Sequence, residues 1–156
     1  MLDQELLKVL KTILAEKIDR ATKAPRITEA IRNAGPYRWV GIYDVDSQRE
    51  IVSNLAWSGP GAPAFPTFPI TKGLTSRAIS TKKTINVGDA ANDPNYLTAL
   101  DSTRSEIIVP IFDVAHDRVI GTVDVESSQL NAFDSKAQAL LEECARLLAV
   151  FWNSCD

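Results

Sequence analysis

The chain has 156 residues, 45% of them hydrophobic and 24% charged, with a formal net charge of -3. This balance is that of one globular domain long enough to bury a substantial core, and it excludes a disordered chain. No run of Lys or Arg offers a footprint for nucleic acid or an anionic membrane. No apolar run approaches the roughly 18 residues of a membrane span, and the first residues lack the basic start and apolar core of a signal peptide, so a cytoplasmic protein is expected, with no nucleic-acid or membrane partner.

Over residues 2–21, Leu6, Leu7, Leu10, Ile13, Leu14 and Ile18 recur at three- and four-residue steps, which predicts an amphipathic N-terminal helix. A short second helix fits residues 28–33, closed by Ala34-Gly35-Pro36. The period then changes. Residues 37–45 are aromatic and β-branched and read as a strand, 46–49 as a turn, and 50–57 as the antiparallel partner. Gly and Pro concentrate in residues 58–66, a loop expected to run over the sheet. A short strand over 67–70, a helix over 74–80, a strand over 84–87 and a second loop over 88–95 follow, with one helical turn around 96–100.

Residues 104–127 form the centre of the pattern: two β-branched runs separated by Asp113-Val114-Ala115-His116-Asp117, which is too polar and too short for a helix. They predict an antiparallel hairpin. Strand side chains alternate between faces, so Asp124 and Glu126 share one face while Val123 and Val125 share the other. Two acids on one face of an apolar hairpin point either at water or into a pocket. A last helix covers 134–153, with Ser135 and Gln138 at capping-box spacing and Leu140, Leu141, Leu147, Leu148 and Phe151 as its apolar stripe.

The order predicts an α+β domain spanning 1–156. Its central antiparallel sheet carries the terminal helices on one face and loops over a pocket on the other. Cys144 and Cys155 are the only cysteines and His116 the only histidine, so neither a zinc site nor a disulfide framework is expected, and no metal or cofactor. His116 is expected exposed at the hairpin tip. Asn92, Asp93 and Asp101 read first as turn formers.

The ordered set Tyr37-Arg-Trp39-Val-Gly-Ile-Tyr43, Phe68-Pro-Ile-Thr-Lys-Gly73, Ile85-Asn-Val-Gly-Asp89, Ser105-Glu106-Ile-Ile-Val-Pro110 and Val119-Ile-Gly121-Thr-Val-Asp124-Val-Glu126-Ser127 resembles a GAF domain over nearly the whole chain. The resemblance implies a sheet of five to six strands with a small-molecule pocket, and frequent dimerisation through the terminal helices. Within that family the chain is similar to the stand-alone branch that reduces free methionine-(R)-sulfoxide. In that branch cysteines do the chemistry, and the corresponding neighbourhoods here read Ala64-Phe65-Pro66, Gly73-Leu74-Thr75-Ser76-Arg77-Ala78 and Thr98-Ala99-Leu100-Asp101. Thr75 cannot replace a thiol, because its hydroxyl is far less acidic and forms no disulfide. The signature of the cyclic-nucleotide-binding subfamily is not recognisable, and the bilin-attaching cysteine pattern is missing.

What the resemblance leaves is the binding half of the site: Trp39, Tyr43, Glu106, Asp124, and Glu126 where the family usually has Asp. Trp57, Phe65, Phe68 and Thr75 are candidate wall or lid residues. Each has a plainer reading. The acids can face solvent, Glu106 can pair with Arg104, and the aromatics can be ordinary core or a satellite cluster. An acidic cluster under aromatic rings suits an ammonium group, since ionised carboxylates only accept hydrogen bonds and ring faces attract cations. The expected function is therefore a non-catalytic GAF-type sensor holding an amine-bearing metabolite. Its alternatives are a divergent sulfoxide reductase and a dimerisation module with a vestigial pocket. The apolar stripe of the first helix adds the expectation of a homodimer.

Overall fold

The computed structural model describes residues 2–94, 96, 102–113, 115 and 118–153. Its elements are α1 (Leu2–Ala15), α2 (Arg20–Asn33), β1 (Trp39–Asp46), β2 (Ile51–Ser58), β3 (Thr67–Pro69), α3 (Gly73–Thr81), β4 (Ile85–Val87), β5 (Ser105–Phe112), β6 (Val119–Ser127) and α4 (Ser135–Asn153), with a 3-10 turn at Ala90–Asn92. The six strands form one antiparallel sheet in the order β3-β2-β1-β6-β5-β4. The expected α+β architecture is present. The helical turn expected over 96–100, apart from Tyr96, lies outside the described residues, as do Asp101, His116 and Cys155.

Period-2 alternation divides the central strands. Val40 and Ile42 of β1, Ile107, Val109 and Ile111 of β5, and Val123 and Val125 of β6 join Leu6, Leu10, Ile27, Ile31, Leu141, Leu148 and Phe151 in one apolar layer. This packs α1, α2 and α4 on a single face of the sheet. Leu6, Leu10 and Ile13 are buried within the chain, while Leu7 and Leu14 pack partly buried against the same core. The opposite face is covered by α3 and by the Gly- and Pro-rich loop.

Two helix boundaries depart from the sequence reading. The first helix stops at Ala15 and a second begins at Arg20, so residues 2–21 are not one helix and the second helix is longer than 28–33. Asp19 is the reason: it takes an extended conformation and its Oδ1 accepts the Thr22 N–H at 2.7 Å, capping α2. Lys23 then reaches back, and its Nζ donates to the Leu14 carbonyl at 2.9 Å, at the end of α1. At α4, Asp134 and not Ser135 accepts from the backbone N–H three residues on, at Ala137 (2.8 Å). Gln138 instead receives a hydrogen bond from Asn86 of β4. Among the described residues, no helix is long and apolar enough to cross a membrane.

Candidate functional site

The other face of the same strands carries different chemistry. Register places Glu126 opposite Trp39 and opposite Glu106, and Asp124 opposite Gly41 and Ile108. Glu106, Asp124 and Glu126 are only 2%, 5% and 1% exposed. The solvated-face alternative is thereby rejected: these acids are as dry as the valines between them. The alternative pairing of Glu106 with Arg104 is not what its environment contains either, since the charges acting on Glu106 are those of Glu126 and Asp124.

Hydroxyl donors reach two of the acids. Thr122, two residues before Asp124 on the same face, donates from Oγ1 to Asp124 Oδ1 at 2.7 Å. Thr103, ahead of β5, donates its hydroxyl to Glu126 Oε1. Glu106 Oε2 is buried with no hydrogen-bond partner. A buried unpaired carboxylate oxygen is costly, and two like charges directly opposite in a sheet repel. Burial first, then the charges of Glu126 and Asp124, holds the Glu106 carboxyl well above the ordinary carboxylate range. Burial likewise pushes Asp124 up to about 8, opposed by the Thr122 hydrogen bond and reinforced by Glu126. The Tyr43 phenol is also raised, by burial and then by Asp124, Glu126 and Glu106, against a hydrogen bond with Asn54.

Aromatic rings border the acids. Trp39 is fully buried, and its Nε1 donates to the Gly61 carbonyl at 3.0 Å, tying the Gly- and Pro-rich loop to β1. Tyr43 lies 6.4 Å from Trp39 between ring centroids and meets Phe68 edge-on at 5.8 Å. The indole lies across Gly41: a Cβ there would come within 2.3 Å of Trp39 Cη2. Glycine at 41 is what lets the ring lie flat along the strand.

Of the candidate residues, the structure brings Trp39, Tyr43, Glu106, Asp124 and Glu126 onto one buried face, with Phe68 against Tyr43. Thr75 is buried on α3. Trp57 belongs to the same sheet face, opposite Gly41, yet is 37% exposed, and Phe65 in the loop is 46% exposed. Sequence reading passed over the two hydroxyl donors. Strand alternation already placed Thr122 beside Asp124, whereas nothing local marks Thr103 as a partner of Glu126. Cys144 lies in the opposite, helix-covered layer, and burial pushes its thiol up to about 12. It is unsuited to nucleophilic work there. A separate groove of about 850 Å³ runs between α4 and the end of β5, lined in part by Lys82, Lys83, Pro110, Phe112 and Arg146, away from the buried acids.

Comparison with known proteins gives this arrangement a family. The GAF domain profile matches residues 19–151. GAF domain-containing protein A of Dictyostelium discoideum is 27% identical over 145 residues, which is 93% of this chain and 89% of that protein. The free methionine-R-sulfoxide reductase of Saccharomyces cerevisiae is 31% identical over 113 residues, 70% of this chain and 60% of the reductase. Among solved structures, the free methionine-R-sulfoxide reductase from Neisseria meningitidis in complex with its substrate superposes with a TM-score of 0.83 at 27% identity, covering 97% of this chain and 90% of that one. With its sheet order, helix placement and sequence all in agreement, the chain belongs to the GAF domain family.

Proposed function

We propose that this domain binds a small polar metabolite through an ammonium group, held by Glu106, Asp124 and Glu126 under the rings of Trp39 and Tyr43, and performs no redox chemistry on it. The observation that carries this reading is Glu106: a carboxylate 2% exposed, with Oε2 unbonded, opposite a second buried acid. An ammonium group supplies what Glu106 Oε2 lacks, an N–H donor, together with a positive charge beside the acids. The aromatic faces add a cation-π attraction of roughly 0.5 to 2 kcal/mol. We also place the protein in the cytoplasm, as a homodimer joined through its terminal helices.

Similarity to the reductases favours a second reading, a divergent enzyme of the same substrate class. It requires thiols where the chain has Ala64, Thr75 and Asp101 neighbourhoods, and Cys144 sits behind the sheet.

Titration calorimetry and thermal shift with free amino acids, methionine-(R)-sulfoxide and putrescine test the first reading, each amine paired with its deaminated counterpart. The expected result is binding of an amine and not of its counterpart, lost in a Glu106→Gln, Asp124→Asn double variant. At a hundredfold excess over Kd the stabilisation is about 2.7 kcal/mol. Binding of no amine overturns the reading. Thiol-dependent turnover of free methionine-(R)-sulfoxide replaces it with the second.

A further inference from the structure

We propose that Thr103 is a positioning residue for the ammonium site: its hydroxyl fixes the Glu126 carboxylate opposite Glu106 and thereby sets how tightly an amine is held. This inference rests on the amine-binding reading of the same site.

Glu126 faces Glu106 across β5 and β6, Asp124 on its own strand, and Trp39 and Tyr43 from β1. With like-charged neighbours on two sides, its carboxylate is positioned by the donors that reach it, and Thr103 reaches it from outside the sheet pairs. Thr103 is 6% exposed and donates to Glu126 Oε1.

The backbone that carries Thr103 is anchored on several sides. The Arg104 N–H donates to the Ser127 carbonyl at 2.8 Å, the Ala90 N–H donates to the Arg104 carbonyl at 2.8 Å, and Arg38 Nε donates to Ser102 Oγ at 2.7 Å. The hydroxyl is thus presented by backbone tied to β6 and the 3-10 turn and, through Ser102, to Arg38 just ahead of β1, a support of the kind that makes a polar contact directional. The side chain at 126 matters in the same way. Aspartate, one methylene shorter, would draw its carboxylate back towards the strand and away from Thr103, so the threonine and the longer acid form a matched pair.

The test uses Thr103→Val, close in shape but without the hydroxyl, and Thr103→Ser, which restores it, each in the parent and in a Glu126→Asp background. Calorimetry with the tightest-binding of the free amino acids, methionine-(R)-sulfoxide and putrescine is expected to show Thr103→Val weakening Kd by about tenfold, as loss of one hydrogen bond to a charged group does, with Thr103→Ser within about threefold of the parent. Carboxyl ¹³C NMR of the unliganded protein is expected to show the Glu126 titration midpoint moving up in Thr103→Val and returning in Thr103→Ser. In the Glu126→Asp background, Thr103→Val is expected to leave Kd unchanged.

Unchanged affinity in folded Thr103→Val, failure of serine to rescue, or an equal loss in the Glu126→Asp background overturns the proposal. A parent that binds no amine overturns the reading of the site, and the positioning role with it. A parent that binds while Thr103→Val binds equally well overturns the positioning role alone.

Discussion

The two faces of β5 and β6 are built from alternate residues of the same strands and are equally buried, yet they do opposite things. On the helix side, Ile107, Val109, Ile111, Val123 and Val125 interlock with three helices. On the loop side, Glu106, Asp124 and Glu126 are withdrawn from water, and Glu106 Oε2 has no hydrogen-bond partner. The first arrangement is what folding favours, because apolar burial is its main driving term. The second opposes it. A fold that retains three dry acids on two adjacent strands therefore holds in its acidic face a cost that a bound cation would offset.

The largest effect that sharpens this contrast is expected on the apolar side. Leu148→Ala, at a fully buried position, should cost about 2 to 5 kcal/mol in urea unfolding, by lost transfer energy plus a cavity. Next comes the pH dependence of the acidic side. Asp124 is raised from 3.8 to about 8 and Glu106 is raised as well, so the folded state binds more protons than the unfolded one between those limits. Their contribution is fully present below the unfolded carboxylate values and is lost as pH rises towards about 8. Unliganded protein should lose stability on the order of a few kcal/mol over that window, measured by unfolding at fixed pH steps. Glu106→Gln and Asp124→Asn should each flatten the profile. A parent profile that is already flat would mean the acids are solvated or paired in solution and would remove the contrast.

Smaller effects come from the borders of the two faces. Gly41→Ala forces Trp39 away from the strand and should cost about 1 to 3 kcal/mol, as overpacking does, with a near-ultraviolet dichroism change reporting the displaced indole. Asp134→Ala removes a helix cap on the other side and should lower stability by about 1 kcal/mol in urea unfolding at neutral pH, with Asp19→Ala destabilising in the same direction.

Much of this was legible from residue spacing. The strands of the first and central hairpins, the α3 segment and the span of α4 follow from period and turn residues, and the shared face of Asp124 and Glu126 follows from alternation alone. Spacing alone predicts one helix across the break between α1 and α2, because Leu14 and Ile18 continue the helical period over it. Asp19 three residues before Thr22 was the local cue, and it outweighed the periodicity. At α4 two capping candidates stand side by side, and which of them caps depends on the path by which the chain enters the helix.

Alone, the sequence determined which residues share a strand face, which family pattern the chain carries, and that no cysteine stands in the neighbourhoods where the reductase branch uses one. Each of these is a matter of residue identity and short-range geometry. Only the tertiary structure decided that the acidic face is dry, that Glu106 Oε2 is left without a partner, and that Thr103 reaches Glu126 from 23 residues away. Burial and long-range hydrogen bonding are set by what packs above a strand, and a strand's own alternation is the same whether water or protein lies over it.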